Sequence, residues 1–176
     1  MFRSLYPDAY AKDVFSIDYE KLYEKGYRGI LFDVDNTLVH HNDDATEEVE
    51  KLFIRIHKAG LKTILVSNNE ASRLERFLRN IDSDYVSDAE KPDTKGYIKA
   101  LHKLGISPEE AVFIGDQMFV DILGANKAGI DSILVHYIVV NEKEFIGIRR
   151  YIEKFILFFF NIRRGRHKLN DIVIKR

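Results

Sequence analysis

Two aspartates stand two positions apart in Asp33-Val34-Asp35-Asn36-Thr37, at the end of the apolar run Gly29–Val34. Residues two apart on an extended chain project from the same side, so both carboxylates face one space. Two more acids follow a later apolar run, in Gly115-Asp116-Gln117-Met118-Phe119-Val120-Asp121, and Ser67 closes the run Thr63–Ser67. One aspartate after a strand is ordinarily a turn residue or a helix cap. Acids at the ends of several strands mean more, because open parallel sheets bind ligands just outside the carboxyl ends of their strands. Carboxylates gathered there repel one another unless a cation neutralises them. An all-oxygen set suits hard Mg²⁺, which accepts one or two carboxylates together with phosphate.

The elements that would position these groups alternate along the chain. Five apolar runs read as strands: Gly29–Val34, Thr63–Ser67, a weaker Asp84–Ser87, Ala111–Ile114 and Ser132–His136. Their continuous rather than alternating hydrophobicity fits strands buried on both faces of a parallel sheet. Between them, Val49, Leu52, Phe53 and Ile56 recur at helical spacing, with Asp44 and Glu47 as a capping pair and Gly60 as a stop. Leu74, Phe77 and Leu78 mark a second helix. Ile98, Leu101 and Leu104 mark a third that stops at Gly105. Ser107-Pro108-Glu109-Glu110 reads as one capped turn. Val120, Leu123 and Ala128 mark a last helix ending at Gly129. Alternating strands and helices predict a three-layer α/β fold.

Four segments in this order resemble the motifs of the haloacid dehalogenase superfamily: Asp33-Val34-Asp35-Asn36-Thr37-Leu38, Leu65-Val66-Ser67-Asn68-Asn69, Lys91-Pro92, and Gly115-Asp116 through Asp121. The resemblance spans roughly residues 25–140. It implies a Rossmann-like fold with a central parallel five-stranded sheet, and Asp33 as a nucleophile that forms an aspartyl-phosphate. It implies Asp35 as general acid and base, and Thr37, Ser67, Asn68 and Lys91 as phosphate-binding groups. It also implies Mg²⁺ held by Asp33, the backbone carbonyl of Asp35, Asp116 and Asp121. The stretch Leu38–Thr63 is filled by one helix and its turns and Asn68–Lys91 by one helix and a weak strand, so neither houses a cap domain, and an open site favours a bulky substrate or a lid supplied by another subunit. Leu5-Tyr6-Pro7-Asp8, Asp43-Asp44-Ala45-Thr46 and Gly115-Asp116-Gln117 further resemble the short, capless YqeG-type phosphatases, related to mitochondrial phosphatidylglycerophosphate phosphatases. That resemblance implies a lipid phosphate as substrate. A soluble nucleotide or sugar phosphate, or a non-catalytic binding module on the same fold, stays open as an alternative.

The whole chain has 176 residues, 45% hydrophobic and 31% charged, a globular balance that argues against disorder. It has no cysteine, which excludes disulfides, thiolate zinc sites and a cysteine nucleophile. Met1–Tyr10 already carries Arg3 and Asp8 and lacks an apolar core, so no signal peptide is expected. Residues 1–140 are expected to form the phosphatase core and 141–176 a C-terminal helix with a basic tail. That tail carries ten Lys/Arg against four Asp/Glu, a surplus of six within a chain whose net charge is −1. Phe145, Ile148, Ile152, Phe155, Ile156 and Phe159 form a stripe at helical spacing, followed by Arg163, Arg164, Arg166 and Lys168. Six wholly apolar residues, Phe155–Phe160, span about 9 Å of helix, too short to cross a bilayer. The segment is therefore expected to pack on the core, to join copies in a homo-oligomer, or to anchor the protein to an anionic membrane. Nucleic acid is disfavoured, because the aromatics are clustered rather than interleaved with the basic residues. The protein is expected to be cytoplasmic, peripheral on the inner face of the membrane when its substrate is a lipid. His40 and His41 are expected to be exposed loop residues.

Overall fold

The computed structural model describes residues 2–138 and 168–174. Six parallel strands form one sheet in the order β1-β6-β5-β2-β3-β4, with β1 at Ala9–Ala11, β2 at Gly29–Phe32, β3 at Lys62–Val66, β4 at Asp84–Val86, β5 at Ala111–Gly115 and β6 at Asp131–Val135. The five expected strands are all present. The sixth, β1, corrects the count. It is a three-residue edge strand, paired with β6 from Ala9↔Ile133 to Ala11↔Val135, and too short to show as an apolar run.

Helices cover both faces. On one lie α1 (Tyr19–Glu24), α2 (Glu47–Lys58) and α3 (Ala71–Phe77), packed on Ile30, Phe32, Leu65 and Ile114. On the other lie α4 (Lys95–Leu104) and α5 (Leu123–Lys127), packed on Leu31, Ile64, Val66 and Phe113. Alternate residues of one strand thus serve opposite layers, as the pleat demands. The three-layer expectation holds.

Several local details differ from expectation. Helix α2 is capped by Thr46, whose hydroxyl accepts from the Val49 N–H at 3.3 Å, and not by Asp44, whose carboxylate pairs with Arg76. Ile98 is exposed on α4, and the buried face runs through Tyr97, Ala100, Leu101 and Leu104. The last helix begins as a π turn, Met118–Ile122, before α5. That wider turn buries Met118, Asp121, Ile122 and Ala125 in place of the expected Val120, Leu123 and Ala128.

The C-terminal segment returns to the N-terminal one. The Leu169 N–H donates to the Asp8 carbonyl and the Ile174 N–H to the Ser16 carbonyl, and Leu169 and Ile172 are buried. Lys168 pairs with Asp131, so this cation of the basic run is already engaged within the fold. The expected boundary at 141, the stripe from Phe145 to Phe159, and Arg163, Arg164 and Arg166 lie outside the described residues. Among the described residues, no helix is long and apolar enough to cross a membrane.

Candidate active site

The chain runs from β2 to β3 on one side and returns through β5 on the other, so the topological switch point lies between β2 and β5. Ligands of such sheets bind in the crevice there. Asp33 leaves the end of β2, its N–H donating to the Ile114 carbonyl at 2.9 Å, and Asp116 leaves the end of β5. A tight loop follows Asp33. Asn36 takes a left-handed conformation (φ 63°), and the N–H groups of Thr37 and Leu38 return to the Val34 carbonyl. Asparagine tolerates that conformation well. The loop brings the Thr37 hydroxyl back onto Asp33 Oδ2 at 3.0 Å, with Asp116 Oδ1 at 3.5 Å.

Lys91 and Asp121 complete the cluster. Lys91 Nζ donates to Asp33 Oδ1 and to Asp121 Oδ1, each at 2.7 Å, and lies 5.4 Å from the centre of the Phe113 ring. Asn68 sets the Lys91 backbone, its Oδ1 accepting from the Lys91 N–H at 2.8 Å and its Nδ2 donating to the Lys91 carbonyl at 3.2 Å. The π turn aims Asp121. The Tyr97 hydroxyl bonds the Val120 and Asp121 carbonyls, and the Gln117 N–H donates to Asp121 Oδ2 at 2.9 Å. Gly115 makes the room: a Cβ there would stand 2.7 Å from the Asp121 carboxyl.

Asp33, Asp116 and Asp121 are all buried and offer carboxylate oxygens within 4.8 Å of one another. Two of them, Asp33 and Asp121, share the Lys91 ammonium, so when both are ionised they carry more negative charge than that cation balances, and Asp116 places a third carboxylate beside them. Such an excess suits a divalent cation, and the all-oxygen donor set suits a hard one. Burial pushes the Asp33 carboxyl up, against the opposing pull of Lys91. Burial also works against charge on Lys91, yet Asp121 and Asp33 outweigh it and hold the ammonium protonated beyond the ordinary lysine range.

The Asp35 carboxylate stands apart from this triad. Its Oδ1 accepts from the Asn42 N–H and from Arg73 NH2, both at 3.0 Å, and its Oδ2 from Asn69 Nδ2 at 2.6 Å. Burial raises its pKa, but these donors win and keep it below the usual aspartate value. Ser67 Oγ accepts from the Asn69 N–H at 3.2 Å. A cleft of about 210 Å³ opens over the group, with Asp33, Asp35, Ser67, Asn68 and Lys91 in its wall and Asn36, His41, Asn69, Gln117 and Val120 beside them. Thr37 is instead turned inward onto the carboxylates. Arg73, Asn69 and Asn42 were not foreseen: Arg73 is one of several arginines on or just after α3, and only the tertiary fold brings it to Asp35. His41 is exposed as expected, yet its Nδ1 lies 3.5 Å from Asp35 Oδ2.

Comparison with known proteins agrees with this geometry. Residues 41–129 match the haloacid dehalogenase-like hydrolases. The chain is 34% identical over 152 residues to the Bacillus subtilis (strain 168) protein named "Probable phosphatase YqeG", covering 86% of this chain and 88% of that one. It is 27% identical over 158 residues to the Arabidopsis thaliana phosphatidylglycerophosphate phosphatase 1, chloroplastic/mitochondrial, covering 80% of this chain but 43% of that one. A solved structure from Listeria monocytogenes serotype 4b superposes with a TM-score of 0.55 at 17% identity, over 76% of this chain and 99% of that one, which bears on the fold alone. With a family match running from the loop after β2 through α5, and a relative aligned along most of both chains, the chain belongs to the haloacid dehalogenase-like hydrolases, among which it is a phosphatase.

Proposed function

We propose that the protein is a Mg²⁺-dependent phosphomonoesterase that works through an aspartyl-phosphate and whose substrate is phosphatidylglycerophosphate. The observation that carries the mechanism is the buried contact of Lys91 with both Asp33 and Asp121 at the switch point. Lys91 holds Asp33 as a carboxylate facing the cleft, despite burial. Asp33 attacks phosphorus and the ester P–O bond breaks. The negative charge of the bound phosphate works against the donors that lower the Asp35 pKa, so that its carboxyl holds the proton the departing alkoxide takes. Asp35 then takes a proton from water, the hydroxide attacks phosphorus, and the Asp33–phosphorus bond breaks to release inorganic phosphate. Asp33, Asp116 and Asp121, with the Asp35 carbonyl, are the groups that would hold Mg²⁺, which when bound supplies positive charge to the equatorial phosphoryl oxygens. Ser67 and Asn68 line the same cleft and would bind the phosphoryl oxygens with Lys91.

Two observations support the lipid. Among the described residues no cap covers the cleft, so a large leaving group can remain outside it. The Arabidopsis relative carries that activity in its name and aligns with most of this chain. The test is phosphate release from phosphatidylglycerophosphate in vesicles against a panel of soluble phosphomonoesters. The lipid should be hydrolysed with the highest kcat/KM, and exhaustive chelation should cut every activity by about 10²-fold or more, restored by Mg²⁺. Activity that survives chelation overturns the metal reading. A soluble phosphate preferred over the lipid overturns the substrate.

A lipid substrate requires the protein to reach the membrane, and we place that role on the apolar and basic tail. Because Leu169 and Ile172 are buried against the core, deleting the chain from 155 onward would strip the fold as well as the tail. Substituting Phe158 and Phe160 with Ser, and Arg163 and Arg164 with Gln, is the cleaner probe. Co-sedimentation with phosphatidylglycerol vesicles should fall on substitution and at high salt, since each cation near an anionic surface contributes about 1 kcal/mol. Hydrolysis of a soluble phosphomonoester should persist. Unchanged sedimentation would sink the anchoring role.

A further inference from the structure

Arg73 is buried, yet its guanidinium is poorly used as a structural group. Among the described residues, its Nε and NH1 have no hydrogen-bond partner. NH2 donates to Asp35 Oδ1 at 3.0 Å and to the Asp43 carbonyl at 2.7 Å, and the guanidinium carbon lies 5.7 Å from the centre of the Phe77 ring. A buried charge with two idle nitrogens is a costly way to stabilise a fold, and buried ion pairs are weak evidence of stability in any case.

The same contacts suit a different task. A carboxylate oxygen has two lone-pair sites. Both sites of Asp35 Oδ1 are filled, one by Arg73 and one by the Asn42 N–H. Oδ2 has the Asn69 amide on one site, and Asn69 lines the cleft, with His41 also beside Oδ2. One oxygen is thus anchored, and the other faces Asn69 and His41, two residues that line the cleft. Arg73 also holds the segment that supplies the second anchor, because Asp43 is the residue after Asn42. Arg76 reinforces it, donating to the Asn42 carbonyl at 2.9 Å and pairing with Asp44 at 2.7 Å. The loop His40–Asp44 is pinned to α3 by two arginines.

We propose that Arg73 is the positioning residue of the proton-transfer step: it fills Oδ1 of Asp35 and fixes the Asn42–Asp43 loop, so that Oδ2 is the oxygen that passes its proton to the departing alkoxide. The proposal rests on reading Asp35 as that acid, and the experiment separates the two.

Proton donation matters most when the leaving group is poor. The full-length protein is assayed with 4-nitrophenyl phosphate, whose phenolate leaves readily, and with phenyl phosphate, whose phenolate needs the proton more. The readout is kcat/KM, which covers the steps up to departure of the alcohol. Misplacing the acid forfeits part of the roughly 10²–10⁴-fold that general acid catalysis supplies. Arg73→Met should lose about 10-fold or more on phenyl phosphate and about 3-fold or less on 4-nitrophenyl phosphate, and Arg73→Lys should regain most of the difference. Asp35→Asn should show the same selectivity more strongly, and adding Arg73→Met to it should cost nothing further. Equal losses on both esters, with Asp35→Asn still selective, would make Arg73 structural and overturn the proposal alone. If Asp35→Asn is itself unselective, the reading of Asp35 falls first. Should Arg73→Met fail to fold, Arg73→Gln carries the same comparison; failure of Met, Gln and Lys variants alike overturns the proposal.

Discussion

Asp33→Asn should lower turnover on any phosphomonoester by about 10⁴-fold or more, because an amide cannot form the acyl-phosphate on which the two-step route depends. The fold should survive intact. Asn has the shape of Asp, its carbonyl can still accept from Thr37 or Lys91, and Lys91 keeps Asp121 as partner. The sign of the stability change follows from the site. Burial raises the pKa of Asp33, which means that the folded state resists its charge. A neutral side chain relieves that resistance, so without metal the variant should melt at or above the wild-type temperature at neutral pH. Phosphate release and thermal melts of both proteins check the two halves. Wild-type turnover in Asp33→Asn would end the mechanism, whereas a collapsed melt would show that the carboxylate is needed for the fold.

Asp33 was legible in the sequence because its signal is local. A carboxylate directly after a continuous apolar run, followed by a loop-forming Asn-Thr pair, can be read without knowing what lies opposite. The same holds for Ser67, Lys91 and Asp116, each at or near the end of a run or beside a chain-breaking proline. Asp121 was reached through the resemblance of Gly115-Asp116 through Asp121 to a family motif, although the helix carrying it was misjudged. A π turn inserts an extra residue, and a search at 3.6 residues per turn then selects Val120 and Leu123 rather than Met118 and Ile122. Edge strand β1 was invisible for a related reason: three residues carry too little pattern, and its pairing with β6 spans more than a hundred positions. The surroundings of Asp35 were harder still. Arg73, Arg76 and Arg79 look alike on or just after an amphipathic helix, and nothing near Arg73 marks it as the one that packs inward. Catalytic groups at strand ends are written in one dimension, while the groups that aim them are fixed by packing.

That division sets the expected outcome for Lys91→Met, where one side chain serves both chemistry and stability. Lys91 pairs with both Asp33 and Asp121, so removing it takes the shared cation from two buried carboxylates that lie beside a third, Asp116. Activity should fall by about 10³-fold or more, since the lost charge faces both the nucleophile and the phosphoryl group. Breaking a buried pair by deleting one partner costs about 3–5 kcal/mol, so the chelated variant should melt well below the wild type, by about 6–20 °C. The loss should also depend on pH in a definite direction. Burial already raises Asp33, and Lys91 opposes that rise. Without Lys91 the folded cluster holds a proton that the ordinary aspartates of the unfolded chain release near pH 4. The folded state then binds more protons than the unfolded one, so stability falls as pH rises from there through the raised folded pKa. Melts of chelated Lys91→Met should therefore be higher at pH 5 than at pH 8, and excess Mg²⁺ should recover part of the difference by supplying the missing positive charge. A variant as stable as wild type at pH 8 under chelation would mean that the three carboxylates are not held together as the structure places them. The charge balance at the switch point would then fail as the reason for metal binding.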